Sequence, residues 1–241
     1  MIPKVIHYCW FGRNPLPPLA MKCVNSWRRY LPDYEIKEWN ENNFDVNIIP
    51  YTREAYEARK YAFVSDYARF WILYNYGGLY FDTDVEIIKP MDRIIANGPF
   101  MGCETNVSVA PGLGLGAVSG MTVYKMMLDL YQDLHFLNQD GSLNLETIVS
   151  YTTNLFEHYG FNVADKIQTI EGIVIYPKEY FCPIDYQTQK MVITDNTVSI
   201  HHYAASWFTL KHRLYWFVKH HMGERVASWL SSLYNRILFT K

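Results

Sequence analysis

Tyr76-Gly77-Gly78-Leu79-Tyr80-Phe81-Asp82-Thr83-Asp84-Val85 is the stretch on which the reading of this chain turns. A long apolar pattern of helical period precedes it, through Tyr61, Phe63, Val64, Tyr67, Phe70, Trp71, Leu73 and Tyr74. The glycines end that helix, with Gly77 in the position after the last turn where glycine is favoured. Leu79-Tyr80-Phe81 reads as a short strand, and Asp82 and Asp84 follow at its end. Residues i and i+2 of a strand share a side. The two carboxylates are therefore expected to face one hard cation and to leave positions for water and phosphate oxygens, as a Mg²⁺-type site requires.

An Asp-x-Asp triplet after a strand is more often a solvated turn. The preceding helix changes that balance. It carries Asp66 and, three residues on, Arg69, which share a face. On a surface such a pair contributes little. On a helix this apolar, both groups need partners, and a sugar with a diphosphate would supply them.

With 241 residues the chain is one large domain, or a domain with an appendage. A net charge of −2 gives no nucleic-acid signature. The charge is uneven, because the segment from Lys211 to Lys241 holds six Lys/Arg against the single acid Glu224. Cys9, Cys23, Cys103 and Cys182 are widely spaced, which predicts buried free thiols rather than a zinc or redox motif. Ile2-Pro3-Lys4 runs straight into a strand without a signal-like segment, and no apolar run reaches membrane-spanning length, so a cytoplasmic location is expected. Aromatic residues make up 17% of the chain, with 20 Tyr; much of this is core, the richness also suits sugar faces, and composition does not separate the two.

Strands are predicted at Lys4–Cys9, Tyr34–Trp39, Val85–Ile88, Pro99–Glu104, Ile173–Tyr176 and Val198–Tyr203. Helices are predicted at Leu19–Tyr30, from Thr52 to Tyr76 with a break near Ser65, at Thr122–Leu137 and at Leu145–Tyr159. The run Pro111-Gly112-Leu113-Gly114-Leu115-Gly116 lacks the dinucleotide-binding spacing and reads as a close-packed loop or strand near the site. Strands alternating with helices predict an α/β layered domain. Ligands of such sheets sit beyond the carboxyl ends of strands, where Trp10, Asp82 and His202 all fall.

Four segments in order carry a resemblance: Ile6-His7-Tyr8-Cys9-Trp10-Phe11-Gly12, Ser65-Asp66-Tyr67-Ala68-Arg69, Gly77 to Asp84, and His201-His202-Tyr203-Ala204-Ala205-Ser206-Trp207. Together they resemble the glycosyltransferases of family 32, whose sugar-binding region contains a DXD motif, and more distantly the large clostridial glucosylating toxins. The resemblance implies a GT-A fold (a Rossmann-like nucleotide-diphospho-sugar transferase fold) with a mixed central sheet flanked by helices over residues 1–210. It implies a retaining, metal-dependent transfer from a nucleotide sugar, UDP-linked or alternatively GDP-mannose. The acceptor would be a glycan or lipid-linked oligosaccharide in bacterial surface-polysaccharide (capsular) biosynthesis.

Carried over residue by residue, Trp10 stacks on the base, with Tyr8 and Cys9 beside it. Asp66 holds sugar hydroxyls and Arg69 the sugar and diphosphate. Tyr80 touches the donor, Asp84 binds the metal directly, and Asp82 reaches the ribose and the metal. His202 is the third metal ligand, preferred to His201, and Ser206 and Trp207 contact the diphosphate. The carboxylate and imidazole set tilts the metal toward Mn²⁺ over Mg²⁺. Glu104 and Asn106 read as surface turn residues that could alternatively face the acceptor. Residues 211–241 read as a basic amphipathic helical appendage, either packed on the domain or peripheral on the inner face of the plasma membrane. Two other readings of the Asp pair are an Asp-x-Asp phosphatase and a non-catalytic sugar-binding module. The first lacks a convincing downstream Lys and Asp, and the second has no use for a diphosphate site.

Overall fold

The computed structural model describes residues 1–185, 188 and 190–204. Met1–Ala204 forms one compact unit. The predicted boundary near residue 210, the appendage 211–241, Ser206 and Trp207 lie outside the described residues.

Ten strands and six helices follow in chain order among the described residues: β1 (Val5–Cys9), α1 (Pro18–Tyr30), β2 (Glu35–Trp39), α2 (Pro50–Glu57), α3 (Tyr61–Tyr76), β3 (Gly78–Tyr80), β4 (Val85–Ile87), α4 (Asp92–Ala96), β5 (Phe100–Thr105), β6 (Ser108–Val109), β7 (Leu115–Ala117), α5 (Thr122–Gln132), α6 (Ile148–His158), β8 (Gln168–Ile170), β9 (Ile173–Tyr176) and β10 (Ser199–His201). The main sheet runs β2-β1-β3-β7-β5-β9-β8 with β6 on β5, and β10 pairs separately with β4. β1 is parallel to β2 and β3, whereas β7 is antiparallel to both β3 and β5. The sheet is mixed, as expected.

Both faces are covered, so successive strand residues enter two different cores. In β3 Leu79 joins one core and Tyr80 the other; in β5 Phe100 and Met101 divide the same way. One core packs α2, α3, α5 and α6 against the sheet, and the other packs α1 and α4. Trp27 of α1 anchors the second, fully buried, with its indole N–H donating to the Val85 carbonyl at 2.7 Å. All four cysteines are buried and free.

Several boundaries differ from the sequence reading. The long helix breaks at Ala58–Lys60, where Arg59 takes a φ of 57°, and not near Ser65. Ser65 stays inside α3 and returns its hydroxyl to the Tyr61 carbonyl. α5 ends at Gln132, because the Glu54 carboxylate captures the Phe136 and Leu137 amides and holds them out of the helix. α6 starts at Ile148, capped by Thr147, whose hydroxyl accepts from the Ser150 amide.

His7 locks the junction behind the site. The Trp39 indole donates to its Nδ1 at 3.0 Å, so the ring proton sits on Nε2 and is donated to the Gly77 carbonyl at 3.0 Å. The close approach explains Gly78, at φ 101°, where a Cβ would stand 2.7 Å from the Val5 carbonyl oxygen and 3.0 Å from His7 Nε2. Burial, aided by Lys37 and opposed by the Gly77 bond, lowers the His7 pKa to about 4. The unfolded chain, near 6.5, therefore takes up a proton before the folded one as pH falls. Up to about 3 kcal/mol of stability should be lost between pH 6.5 and 4. Urea midpoints at pH 7.5 and 4.5 should diverge more for the wild type than for His7→Gln. Equal divergence would remove His7 from the account.

Candidate active site

The site lies at the carboxyl edge of the sheet, and α3 supplies its buried half. Arg69 is 3% exposed and Asp66 8% exposed. Arg69 Nη2 donates to Asp66 Oδ1 at 2.8 Å and lies 3.3 Å from Asp82 Oδ1. Its Nε donates to the Ser65 carbonyl, and its guanidinium carbon stands 5.1 Å from the centre of the Tyr80 ring. Tyr80 in turn donates its hydroxyl proton to Asp82 Oδ1 at 3.1 Å. Burial pushes the Asp66 carboxyl up to about 7, with Arg69 pulling down and Asp82 pushing up. Burial opposes the Arg69 charge, yet Asp82, Tyr80 and Asp66 together hold it firmly protonated.

Asp82 and Asp84 stand on a tight turn and not on the strand itself. β3 ends at Tyr80, the Asp82 amide donates to the Gly112 carbonyl, and the Val85 amide donates back to the Asp82 carbonyl. Asp84 is close enough for its charge to be felt at Asp82. Burial raises Asp82, as does the charge of Asp84, against the pull of Arg69. Asp84 goes the other way: burial works against it, but His201 and the Ala204 amide lower its pKa.

The far end of the described chain completes this half. The Ala204 amide donates to Asp84 Oδ2 at 2.8 Å, and His201 Nε2 lies 3.3 Å from Asp84 Oδ1. His202, the histidine expected beside Asp84, instead sets its Nε2 2.7 Å from Glu86 Oε2, which also pairs with Lys22. The pairing of His201 with Val85 across β10 and β4 decides this, since neighbouring residues of a strand face opposite ways. Burial disfavours the His201 imidazolium, but Asp84 overrides it and raises the pKa to about 10. The other ring nitrogen, Nδ1, is buried, and the Cys182 side chain also favours the imidazolium.

Around Trp10 the ends of β1 and β2 open a cavity of about 290 Å³ lined by Trp10, Arg13, Asn14, Glu38, Asn40 and Glu41 among others. The Trp10 indole donates to the Asn14 carbonyl at 2.6 Å, which fixes the ring. Tyr8 points into the α1-side core and donates to Glu38 at 2.6 Å. Cys9 is buried in the opposite core, its thiol pushed up to about 12 by burial. Neither Tyr8 nor Cys9 lines the cavity; Trp10 does. Sequence reasoning set His201 aside in favour of His202, placed the Gly112 loop near the site without giving Gly112 a task, and missed the Glu38–Asn42 rim. The rim had a signal in its Asn/Glu cluster just past a strand end.

The donor set suits a hard divalent cation. Asp82 and Asp84 stand two residues apart on one turn, and the charge of Asp84 already disfavours ionisation of Asp82, a repulsion that a cation would relieve. Among the described residues no three His, Cys, Asp or Glu side chains converge as a ready metal site, so this fit rests on the carboxylate pair.

The mixed sheet with helices on both faces is an α/β architecture of the GT-A type. Residues 17–101 match the family model described as "Glycosyltransferase sugar-binding region containing DXD motif", and that segment contains Asp66, Arg69, Asp82 and Asp84. Over 111 residues the chain is 35% identical to inositol phosphoceramide mannosyltransferase 1 of Schizosaccharomyces pombe, covering 42% of this chain and 33% of that protein. It is 23% identical over 193 residues to the uncharacterized glycosyltransferase L373 of Acanthamoeba polyphaga mimivirus, covering 73% and 74% of the two chains. The chain thus spans about a third of the length of the mannosyltransferase it matches. Among solved structures, the PaToxG glycosyltransferase superposes with a TM-score of 0.50 at 17% identity, covering 65% of this chain and 68% of that one, a likeness of fold.

Gly112 sets the position of Asp82. A Cβ there would fall 2.1 Å from Asp82 Oδ2 and 3.3 Å from Arg69 Nη1. The obstructed atom is a side-chain tip, so Gly112→Ala should leave the fold intact and swing the carboxylate off Arg69. The binding of nucleotide with a divalent cation that is proposed below should, by calorimetry, weaken at least about tenfold with an unchanged far-UV spectrum. Wild-type binding would refute this positioning.

Proposed function

We propose that this protein is a metal-dependent hexosyltransferase that moves a sugar from a nucleotide-diphosphate donor to a sugar hydroxyl of a glycan or lipid-linked acceptor. The observation that carries the reading is the buried Asp66–Arg69–Asp82 cluster, joined at the sheet edge by Asp84. A lone sugar-binding surface has no need of a buried guanidinium beside two carboxylates. The matched glycosyltransferase region supports the same reading.

In this arrangement the Trp10 cavity takes the nucleoside, with the fixed indole as its wall. Arg69 presents a rigid fork of donors to the diphosphate oxygens. Asp66 accepts hydrogen bonds from hydroxyls of the transferred sugar. Asp82 and Asp84 would hold the cation, Mn²⁺ or Mg²⁺. Bound there, the cation supplies Lewis-acid stabilisation of the charge that develops on the departing diphosphate. Arg69 shares that task, and its burial makes its charge more effective than it would be in water. Transfer is proposed to proceed with retention of anomeric configuration.

The donor is proposed to be a UDP-sugar. The second reading, GDP-mannose, draws on the two fission-yeast relatives named as inositol phosphoceramide mannosyltransferases. A cytoplasmic location with membrane contact through residues 211–241 belongs to the same proposal. No helix among the described residues is long and apolar enough to cross a membrane.

Titration of UDP, GDP and their hexose conjugates, with and without Mn²⁺, tests the reading. Metal-dependent binding of one nucleotide family is expected, falling at least about 100-fold in Asp84→Ala. Arg69→Lys keeps the charge but loses the fork, and should reduce turnover at least about tenfold. Binding that ignores both metal and Asp84→Ala would overturn the metal assignment. Absence of any nucleotide binding would overturn the function.

A further inference from the structure

Glu104 stands at the same edge of the sheet as Asp82 and has no task in the donor arrangement. Across β3, β7 and β5 the register places Tyr80, Leu115 and Met101 on one level. Asp82 lies two residues beyond Tyr80, and Glu104 three beyond Met101. Both therefore emerge at the carboxyl edge, separated sideways by two strand spacings, about 10 Å. That separation is on the scale of one sugar unit next to a bound donor.

The backbone delivers Glu104 by a specific device. β5 loses register with β6 between Cys103 and Thr105, a bulge centred on Glu104. Bulges bend a strand and re-aim a side chain. Along β5, Phe100 faces the α1-side core and Gly102 packs so tightly under Phe181 that a Cβ would stand 2.6 Å from its ring. Glu104 is next on that face. There it feels the charges of His201 and Lys178, and its own charge reaches Tyr203.

Its lack of a partner sets Glu104 apart. The other half-buried or buried carboxylates among the described residues are all engaged. Asp66 and Asp82 hold Arg69, Asp84 holds His201, Glu86 holds His202 and Lys22, and Glu54 caps two amides. Glu38, Glu41, Glu179 and Asp185 each accept at least one hydrogen bond. Glu104, half-buried, has neither a hydrogen bond nor an ion pair among the described residues. Burial pushes its carboxyl upward, against the pull of His201 and Lys178. A carboxylate held from water at a ligand edge without a partner is placed to meet donors that arrive with a ligand.

We propose that Glu104 is the acceptor-binding carboxylate of this site, accepting hydrogen bonds from hydroxyls of the sugar that receives the transferred residue. The proposal rests on the glycosyltransferase reading and extends it to the acceptor side. Asp66 and Arg69 grip the donor from the α3 side of the sheet, and Glu104 grips the acceptor from the α1 side. The substrate class is a hexoside with free hydroxyls next to the attacking one, since a carboxylate accepts from two neighbouring hydroxyls at once.

The test uses the full chain with Mn²⁺, UDP-glucose, UDP-galactose and GDP-mannose as donors, and methyl hexosides of glucose, galactose and mannose as acceptor probes. Nucleotide release and glycoside product are measured together, giving the ratio of transfer to donor hydrolysis. Glu104→Gln should lower that ratio about 10- to 100-fold and raise the hexoside KM more than it lowers kcat, with Glu104→Asp recovering part of the loss. Unfolding midpoints of both variants, and of Glu104→Ala, check the fold. A ratio within twofold of wild type, a parallel fall in transfer and hydrolysis, or a wild type that transfers to none of the hexosides overturns the proposal. If the wild type also neither binds nor hydrolyses any donor, the glycosyltransferase reading falls first. Donor hydrolysis that persists in the wild type confines the failure to Glu104.

Discussion

A single guanidinium, almost wholly withdrawn from water, governs the architecture of this protein. Arg69 sits on a helix whose other faces are core, so its charge must be met by fixed partners. Asp66 meets it from the same helix, and Asp82 meets it from the turn after β3. Taking away one partner of such a buried group strands the other, typically at a cost of about 3–5 kcal/mol. Arg69 therefore pins α3 to the β3–β4 turn. The Gly112 backbone closes over the same carboxylate, with no room for a side chain between them. Placement of the candidate donor site and stability of the domain are thus one problem.

The sheet edge divides the site into two unlike halves. On the α3 side, burial raises Asp66 and Asp82, and Arg69 restrains them. On the α1 side, His201 and a backbone amide lower Asp84, while Glu104 stays high and unpaired. Carboxylates with opposite tendencies along one edge are what a site needs if it is to hold a cation, a diphosphate and neutral hydroxyls side by side.

Much of this was legible in the residues. The apolar period up to Tyr76 and the Gly77-Gly78 stop located the end of α3 and the strand after it because helix period and glycine conformation are local properties. Asp66 and Arg69 could be paired from spacing alone. The preference for His202 over His201 had no local basis, because alternation along β10 gives two faces but only its register with β4 says which one meets Asp84. The break at Ala58–Lys60 carries neither glycine nor proline, so nothing local announced it. α4, β6 and β8 are too short for a period to show. Glu104 resembled a turn residue in sequence, and its isolation is visible only when every other interior acid has been matched to a partner.

The four buried thiols have a practical consequence. Cys9, Cys23, Cys103 and Cys182 account for every cysteine in the chain, and each is covered by packing. Burial holds the first three near 12, so almost no thiolate is present at neutral pH. The folded protein should be silent toward alkylating reagents until it opens. Since Cys9 and Cys23 fall in opposite cores, the order in which they become labelled would time the separate loosening of the two sides of the sheet. A cysteine introduced at the surface could carry a probe against an empty background.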